Sequence, residues 1–197
     1  RSKSYKRYYK RLNDKVYSKA SYTFDSKYKR QGLTIASDVQ YIVWGGNYIQ
    51  AGGKHSGALY VLNNILNTDY MLQNLRVKNG AYGAGLTFNP YGNINIYTSQ
   101  DPQLQNSLTI IREIPRYVAQ FDAPPDLMIN YKIGALAKLE QSIGLNDHPK
   151  AIGETLYEYH ISGINSDDIK EIRNQIINTT SSDIRALSPI LKKVIEE

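Results

Sequence analysis

The sequence predicts an α+β fold, with helices packed on one face of a largely antiparallel sheet. A few strand patterns come early in the chain, a run of helical patterns follows, and two of the early strands flank a turn signal suited to a hairpin. Two segments are expected: residues 1–31, a basic amphipathic helix or linker that connects from whatever precedes it, and residues 32–197, the domain proper.

In the first segment Tyr5, Tyr8, Tyr9, Leu12 and Val16 fall at i, i+3, i+4, i+7 and i+11, one face of a helix. Eleven of the 24 Lys/Arg lie within residues 1–31 against Asp14 and Asp25, so the formal net charge of +6 becomes −3 over the remainder. Tyrosines interleaved with cations can grip phosphates and stack bases. With no nucleic-acid motif elsewhere, a solvated helix face is the simpler reading, and no nucleic-acid partner is expected.

Val39 to Trp44 alternates and is rich in β-branched and aromatic residues, which predicts a strand closed by Gly45-Gly46. From Ser56 the period changes: Leu59, Leu62, Ile65 and Leu66 share a helical face that Tyr70 extends, a helix of roughly five turns with Arg76 at or just beyond its end. Tyr82 to Phe88 and Asn93 to Thr98 flank Asn89-Pro90-Tyr91-Gly92, the hairpin signal. Asp101-Pro102 predicts a helix start, aspartate as N-cap and proline at the first position, and Leu104, Leu108 and Ile111 continue its stripe until Pro115. Four helical patterns follow, from near Pro125, Pro149, Asp167 and Ser182. Before the last, Thr180-Ser181-Ser182-Asp183 fits a capping box with Asp in place of Glu or Gln.

With 41% hydrophobic and 21% charged residues the chain is of ordinary globular composition, and no apolar run approaches the roughly 20 residues of a membrane span. A soluble protein with no membrane partner is expected. The absence of cysteine excludes disulfides, thiolate zinc sites and cysteine nucleophiles, and fits a reducing cytoplasm. Arg1-Ser2-Lys3-Ser4 has neither an initiator methionine nor an apolar segment behind it, the expectation for a piece of a longer chain.

Familiar catalytic motifs fail on spacing. Gly52-Gly53-Lys54-His55-Ser56 has Tyr48 where a phosphate loop needs its first glycine, and His55 where it needs Ser or Thr. A glycine turn feeding a helix is the reading left. His55, His148 and His160 stand in no zinc-ligand motif and read as structural, and there is no G-x-S-x-G elbow. No metal site is expected in this chain. Gly80 to Gly85 packs three glycines and two alanines into six residues, too little side chain to fill a core, so something else is expected to come close. Arg76 can fork two hydrogen bonds onto a carbonyl or carboxylate, Tyr82 can donate one to an oxyanion, and Gly80 and Gly83 would let a peptide backbone approach. Two plainer roles stay open: Arg76 capping helix carbonyls, and Tyr82 packing.

Val39-Gln40-Tyr41, Gly45-Gly46-Asn47, Gly57-Ala58-Leu59-Tyr60-Val61, Leu75-Arg76-Val77, Gly80-Ala81-Tyr82-Gly83 and Asp101-Pro102, in that order, resemble the pitrilysin or insulinase family of zinc metallopeptidases, in particular the C-terminal half of its presequence-protease branch. The resemblance covers Gly32 to about Phe121 well. It implies one of four related α+β units whose two halves close over a peptide substrate. It implies that zinc is bound by a different domain, in the N-terminal half of the same polypeptide. Arg76 and Tyr82 would then reach across to that site, catalytic in role, with Arg76, Tyr82, Gly80 and Gly83 contacting substrate. Branch members commonly have Gly-Gly before Ala-Tyr-Gly and Tyr-Arg before Asp-Pro; here Asn79-Gly80 and Ser99-Gln100 stand there. The missing arginine leaves a second expectation, a relative kept as scaffold or partner subunit without peptidase activity.

Overall fold

The computed structural model describes residues 30–143 and 149–196. The helix read from Tyr5 to Val16, and His148, lie outside them. Residues 37–196 belong to one compact unit.

Alternating sequence makes three strands, β1 (Gln40–Asn47), β2 (Gly83–Phe88) and β3 (Asn93–Asp101). They form an antiparallel sheet in the order β1-β3-β2. The two-residue period buries Ile42, Leu86, Ile94 and Ile96 on one face and leaves Tyr41, Val43 and Tyr97 exposed on the other. The β2–β3 hairpin turns where expected: Gly92 N–H donates to the Asn89 carbonyl and Asn89 N–H to the Asn93 carbonyl, both at 3.1 Å, with Gly92 at φ +96°.

Several boundaries differ from the sequence reading; the strand read from Tyr82 starts at Gly83, so Tyr82 stands just before it. β1 runs through Gly45-Gly46 to Asn47, because Gly45 pairs with Asn95 and Gly46 with Ile94 on the central strand. Ladder pairing here outweighs the weak strand preference of glycine. Asp101, expected as a helix N-cap, is instead the last residue of β3, paired with Gln40 and wholly buried. Its Oδ1 accepts the Gln103 N–H at 2.9 Å, and α2 (Leu104–Arg112) starts from Gln103 without a side-chain cap. Between the Gln40–Asp101 and Ile42–Thr98 pairs, β3 spends one residue more than β1, a bulge in which Gln100 takes φ +45°.

α1 (Gly57–Ile65) passes without a break into a π-helical segment, Leu66–Val77. The buried positions record the change. Leu59, Leu62 and Ile65 step by three, whereas Leu66, Tyr70, Met71 and Leu75 fit steps of four and five, as i→i−5 bonding requires. Such a bond closes the segment, from Lys78 N–H to the Gln73 carbonyl at 3.0 Å. The later helices are α3 (Ile114–Ala119), α4 (Pro125–Ile143), α5 (Pro149–Ser162), α6 (Ser166–Asn178), α7 (Ser181–Ala186) and α8 (Ser188–Glu196). α1 touches β2 as well as α4, α6 and α7, so it is the middle of the domain. Its Val61, Leu62 and Ile65 are fully removed from water, each worth about 1.5–3 kcal/mol for a side chain of that size.

Thr180 caps α7 and Asp183 returns the bond, the box read from the sequence. The same device, unread there, opens α6 through Asn165 and Asp168. Ser188-Pro189 divides what reads as one final helix into α7 and α8, since proline cannot continue the bonding of the turn before it.

α1 can approach α6 only because residue 57 has no side chain. A Cβ at Gly57 would lie 2.5 Å from the Ile176 nitrogen and 2.7 Å from the Ile172 carbonyl oxygen. Its N–H also donates to Gln175 Oε1 at 2.8 Å. Gly57→Ala is expected to destabilise the domain by about 1–3 kcal/mol in urea denaturation, the usual cost of overpacking. An unchanged midpoint would mean the two helices separate freely.

Candidate functional site

β2 is an edge strand, and the hairpin register turns the N–H and C=O of Leu86 away from β3. Both are met by one side chain of the π segment. Asn67 Nδ2 donates to the Leu86 carbonyl at 2.7 Å, and Leu86 N–H donates to Asn67 Oδ1 at 2.9 Å. An asparagine amide thus takes the place of a neighbouring strand and locks the segment alongside β2.

The end of that segment forms the candidate site. Gly80 N–H donates to the Arg76 carbonyl and Ala81 N–H to the Leu75 carbonyl, each at 3.0 Å. This is the pairing of a Schellman motif widened by one residue, as suits a π-helical end. Gly80 takes φ +82°, where a side chain is disfavoured. Asn79, which stands where branch members carry glycine, is buried and donates through Nδ2 to Ser107 Oγ at 2.6 Å, tying the turn to α2. Tyr82 N–H reaches the Gln100 carbonyl at 3.3 Å, at the bulge.

The backbone around Arg76 and Tyr82 is therefore held from three sides, but their side chains are not. Arg76 is exposed, Tyr82 is 73% exposed, and neither side chain has a hydrogen-bond, ion-pair or ring partner among the described residues. The plainer roles left open by the sequence are unfilled: the carbonyls of Leu75 and Arg76 are taken by backbone N–H groups, and Tyr82 does not pack. What comes close to the glycines is the chain itself. A Cβ at Gly83 would meet the Ser99 side chain, and one at Gly85 would lie 2.7 Å from the Tyr97 ring.

Other polar residues serve structure. Gly52-Gly53 forms the turn from β1 to α1, with Gly53 N–H on the Tyr48 carbonyl at 2.7 Å. Tyr48 Oη donates to the Asn89 carbonyl at 2.8 Å and so accepts from His55 Nδ1–H at 2.8 Å. That fixes the proton of a neutral imidazole on Nδ1, and leaves Nε2 to accept from Tyr60 Oη at 3.3 Å. Burial lowers the His55 pKa below its ordinary value. Burial, then the neighbouring Tyr60, raises Tyr48 to about 12; burial, then Tyr159, raises Tyr60 to about 12. His160 lies in the last turn of α5. Among the described residues no group of His, Asp or Glu could hold a metal ion, and no helix is long and apolar enough to cross a membrane.

The family described as PreP C-terminal domain matches residues 30–197. Protein HypA of Clostridium perfringens is 33% identical over 187 residues, covering 95% of this chain and 19% of the relative. Presequence protease 1, chloroplastic/mitochondrial, of Arabidopsis thaliana is 22% identical over 158 residues, covering 80% and 14%, respectively. The mitochondrial presequence protease of Drosophila melanogaster is 27% identical over 129 residues, covering 64% and 12%. The chain thus spans less than a fifth of the length of these curated relatives. In fold it is similar to the crystal structure of a presumed zinc protease from Bordetella pertussis Tohama I, with a TM-score of 0.58 at 13% identity over 76% of this chain and 85% of that one.

The buried His55 and phenols set a pH window. Below about pH 6.5 the unfolded chain binds a proton that folded His55 resists, so stability falls as pH drops. From about 10 to about 12 the unfolded phenols lose protons that folded Tyr48 and Tyr60 keep, so stability falls again as pH rises. Urea midpoints should decline on both sides, and His55→Gln should flatten the acid side. An acid limb unchanged in that variant would assign it to other groups.

Proposed function

The chain belongs to the family of PreP C-terminal domains, and from that premise we propose that it is the non-catalytic C-terminal portion of a zinc-dependent endopeptidase that degrades peptides. In this reading it closes over the substrate against an N-terminal half of the same polypeptide and presents Arg76 and Tyr82 to a metal site held there. The observation that carries the reading is the pair of exposed, unpartnered side chains on one closed turn with a fixed backbone. A fixed backbone sets where the two donors start from, and their unpartnered side chains are available to a substrate and would be ordered by closure against the other half. The names of the relatives, presequence proteases among them, favour the same class.

Within that reading the roles follow from donor chemistry. The Arg76 guanidinium, permanently charged and forked, holds a substrate carbonyl or carboxylate. The Tyr82 phenol donates to the oxygen that gains negative charge when a peptide carbonyl is attacked, and a donor of that kind is worth about 2.7–4 kcal/mol. Gly80 and Gly83 bracket Tyr82 without side chains that would stand between it and a substrate backbone. The zinc supplies Lewis-acid activation from outside this chain, and no described residue is offered as its ligand. The second reading, a scaffold without peptidase activity, is favoured by Gln100 standing where branch members carry arginine.

Cleavage of a quenched fluorescent peptide by the full-length polypeptide tests both. Tyr82→Phe, at equal zinc content and equal fold stability, is expected to lower kcat by about a hundredfold or more. Arg76→Ala is expected to raise KM as well as lower kcat, since a carbonyl clamp acts before and during the reaction. The 197-residue chain alone should show no peptidase activity. Unchanged kinetics in Tyr82→Phe would overturn the assignment of Tyr82, and an inactive native polypeptide would establish the scaffold reading.

A further inference from the structure

A hollow of about 320 Å³ opens where the π segment, α3 and the start of α4 meet, and neither Arg76 nor Tyr82 lines it. Its walls include Tyr117, Phe121, Leu127 and Tyr131, with Asp69 and Asp122 as its charged groups. Phe121 stands between the two phenols: its ring centroid is 6.2 Å from Tyr117, at 63°, and 6.1 Å from Tyr131, at 58°. Tilted rings at this separation pack against one another, and Phe121 and Tyr131 are buried, so together they give the hollow an aromatic floor. Tyr131 Oη donates to Asp69 Oδ2, which orients the carboxylate. The other oxygen, Oδ1, has no partner among the described residues and is not sealed from solvent. Among the described residues no Lys, Arg or His lines the hollow. Arg185 meets the exposed Asp122 at 3.6 Å and donates to the Phe121 carbonyl at 2.8 Å, so it is spent on Asp122 and the loop, not on Asp69. Asp69 also acts across the space, since after burial its charge is the next cause that raises Tyr117 to about 12.

We infer that this hollow binds an alkylammonium group, with Asp69 as counter-ion and Tyr117, Phe121 and Tyr131 as aromatic walls. A cation is favoured by a carboxylate oxygen with an open lone pair beside aromatic side chains, while the apolar walls suit the methylene stem. An anion would meet two carboxylates, and a neutral apolar guest would strip water from Asp69 without replacing its hydrogen bonds. The volume holds one ammonium side chain with part of what it is attached to. Either a lysine side chain on a polypeptide or a free small amine supplies that chemistry. The inference stands apart from the roles of Arg76 and Tyr82.

The test is a titration of the 197-residue chain with n-butylammonium, n-pentanol, N-acetyl-lysine methylamide and cadaverine, followed by NMR of the aromatic rings. Butylammonium is expected to shift Tyr117, Phe121 and Tyr131 saturably, with a Kd of about 1–10 mM for so small a probe, while pentanol is expected to leave them in place. Asp69→Asn should weaken binding about tenfold or more. Because that change also alters the bond from Tyr131, Phe121→Leu, which keeps the carboxylate, serves as the second variant and should weaken binding about two- to fivefold. Binding of the lysine derivative at least as tight as butylammonium identifies a polypeptide side chain as the source; tighter binding of cadaverine with exclusion of the lysine derivative identifies a free diamine. Equal binding of pentanol, unchanged affinity in both variants, or no shift with any probe overturns the inference.

Discussion

Two hydrogen bonds between the Asn67 amide and the backbone of Leu86 set the layout of the domain. An edge strand exposes a row of unpaired N–H and C=O groups, and any element laid beside it must answer them or leave them to water. Asn67 answers both at one residue, so the π segment is fixed at its beginning to the middle of β2. Its far end is then fixed by geometry. The segment must return to the start of β2 within the five residues from Lys78 to Tyr82, and it does so through the widened closure at Gly80 and Ala81. Arg76, whose carbonyl takes part in that closure, and Tyr82, which follows it, are thereby held close to one another along the chain.

The glycines around Tyr82 answer different demands. Gly80 is required by its left-handed backbone, whereas Gly83 and Gly85 make room for side chains of the adjacent strand, Ser99 and Tyr97. The strand end facing them carries costs of its own. Gln100 sits at φ +45° at a bulge, and Thr98 Oγ1 and Asp101 Oδ2 are buried without a partner among the described residues. An unmet buried polar atom costs about 1–3 kcal/mol and a strained backbone residue a similar amount. The core next to it offsets these costs, since Leu66, Met71, Leu75, Leu86 and Ile96 are all essentially removed from water.

Elsewhere the polar groups of the interior are arranged in satisfied chains. Tyr60, His55, Tyr48 and the Asn89 carbonyl form one, joining α1 to the end of β1 and to the hairpin turn. Tyr70 Oη on the Ile110 carbonyl, at 2.7 Å, joins the π segment to α2. Near Arg76 and Tyr82, the side chains of Asn67 and Tyr70 bond to backbone groups and Asn79 bonds to Ser107, whereas the arginine and the tyrosine themselves make no such bond among the described residues.

Much of the layout is legible in the sequence. Alternation marks the strands, Asn89 to Gly92 marks the hairpin, Thr180 to Asp183 marks the last capped turn, and the ordered motifs from Val39 to Pro102 carry the family resemblance. These signals are local: a period, a cap or a turn is written within a few neighbouring residues. Tertiary structure alone decided that β1 continues through Gly45-Gly46, that Asp101 ends a strand instead of opening a helix, and that Asn67 and Asn79 anchor the candidate site. Each depends on a partner well separated in the chain, as with Asn67 and Leu86 or Gln40 and Asp101, and local pattern does not specify such a partner. The π segment lies between the two cases, since the four- and five-residue steps from Leu66 to Leu75 are in the sequence, but only packing on β2 showed that they outrank the ordinary helical period.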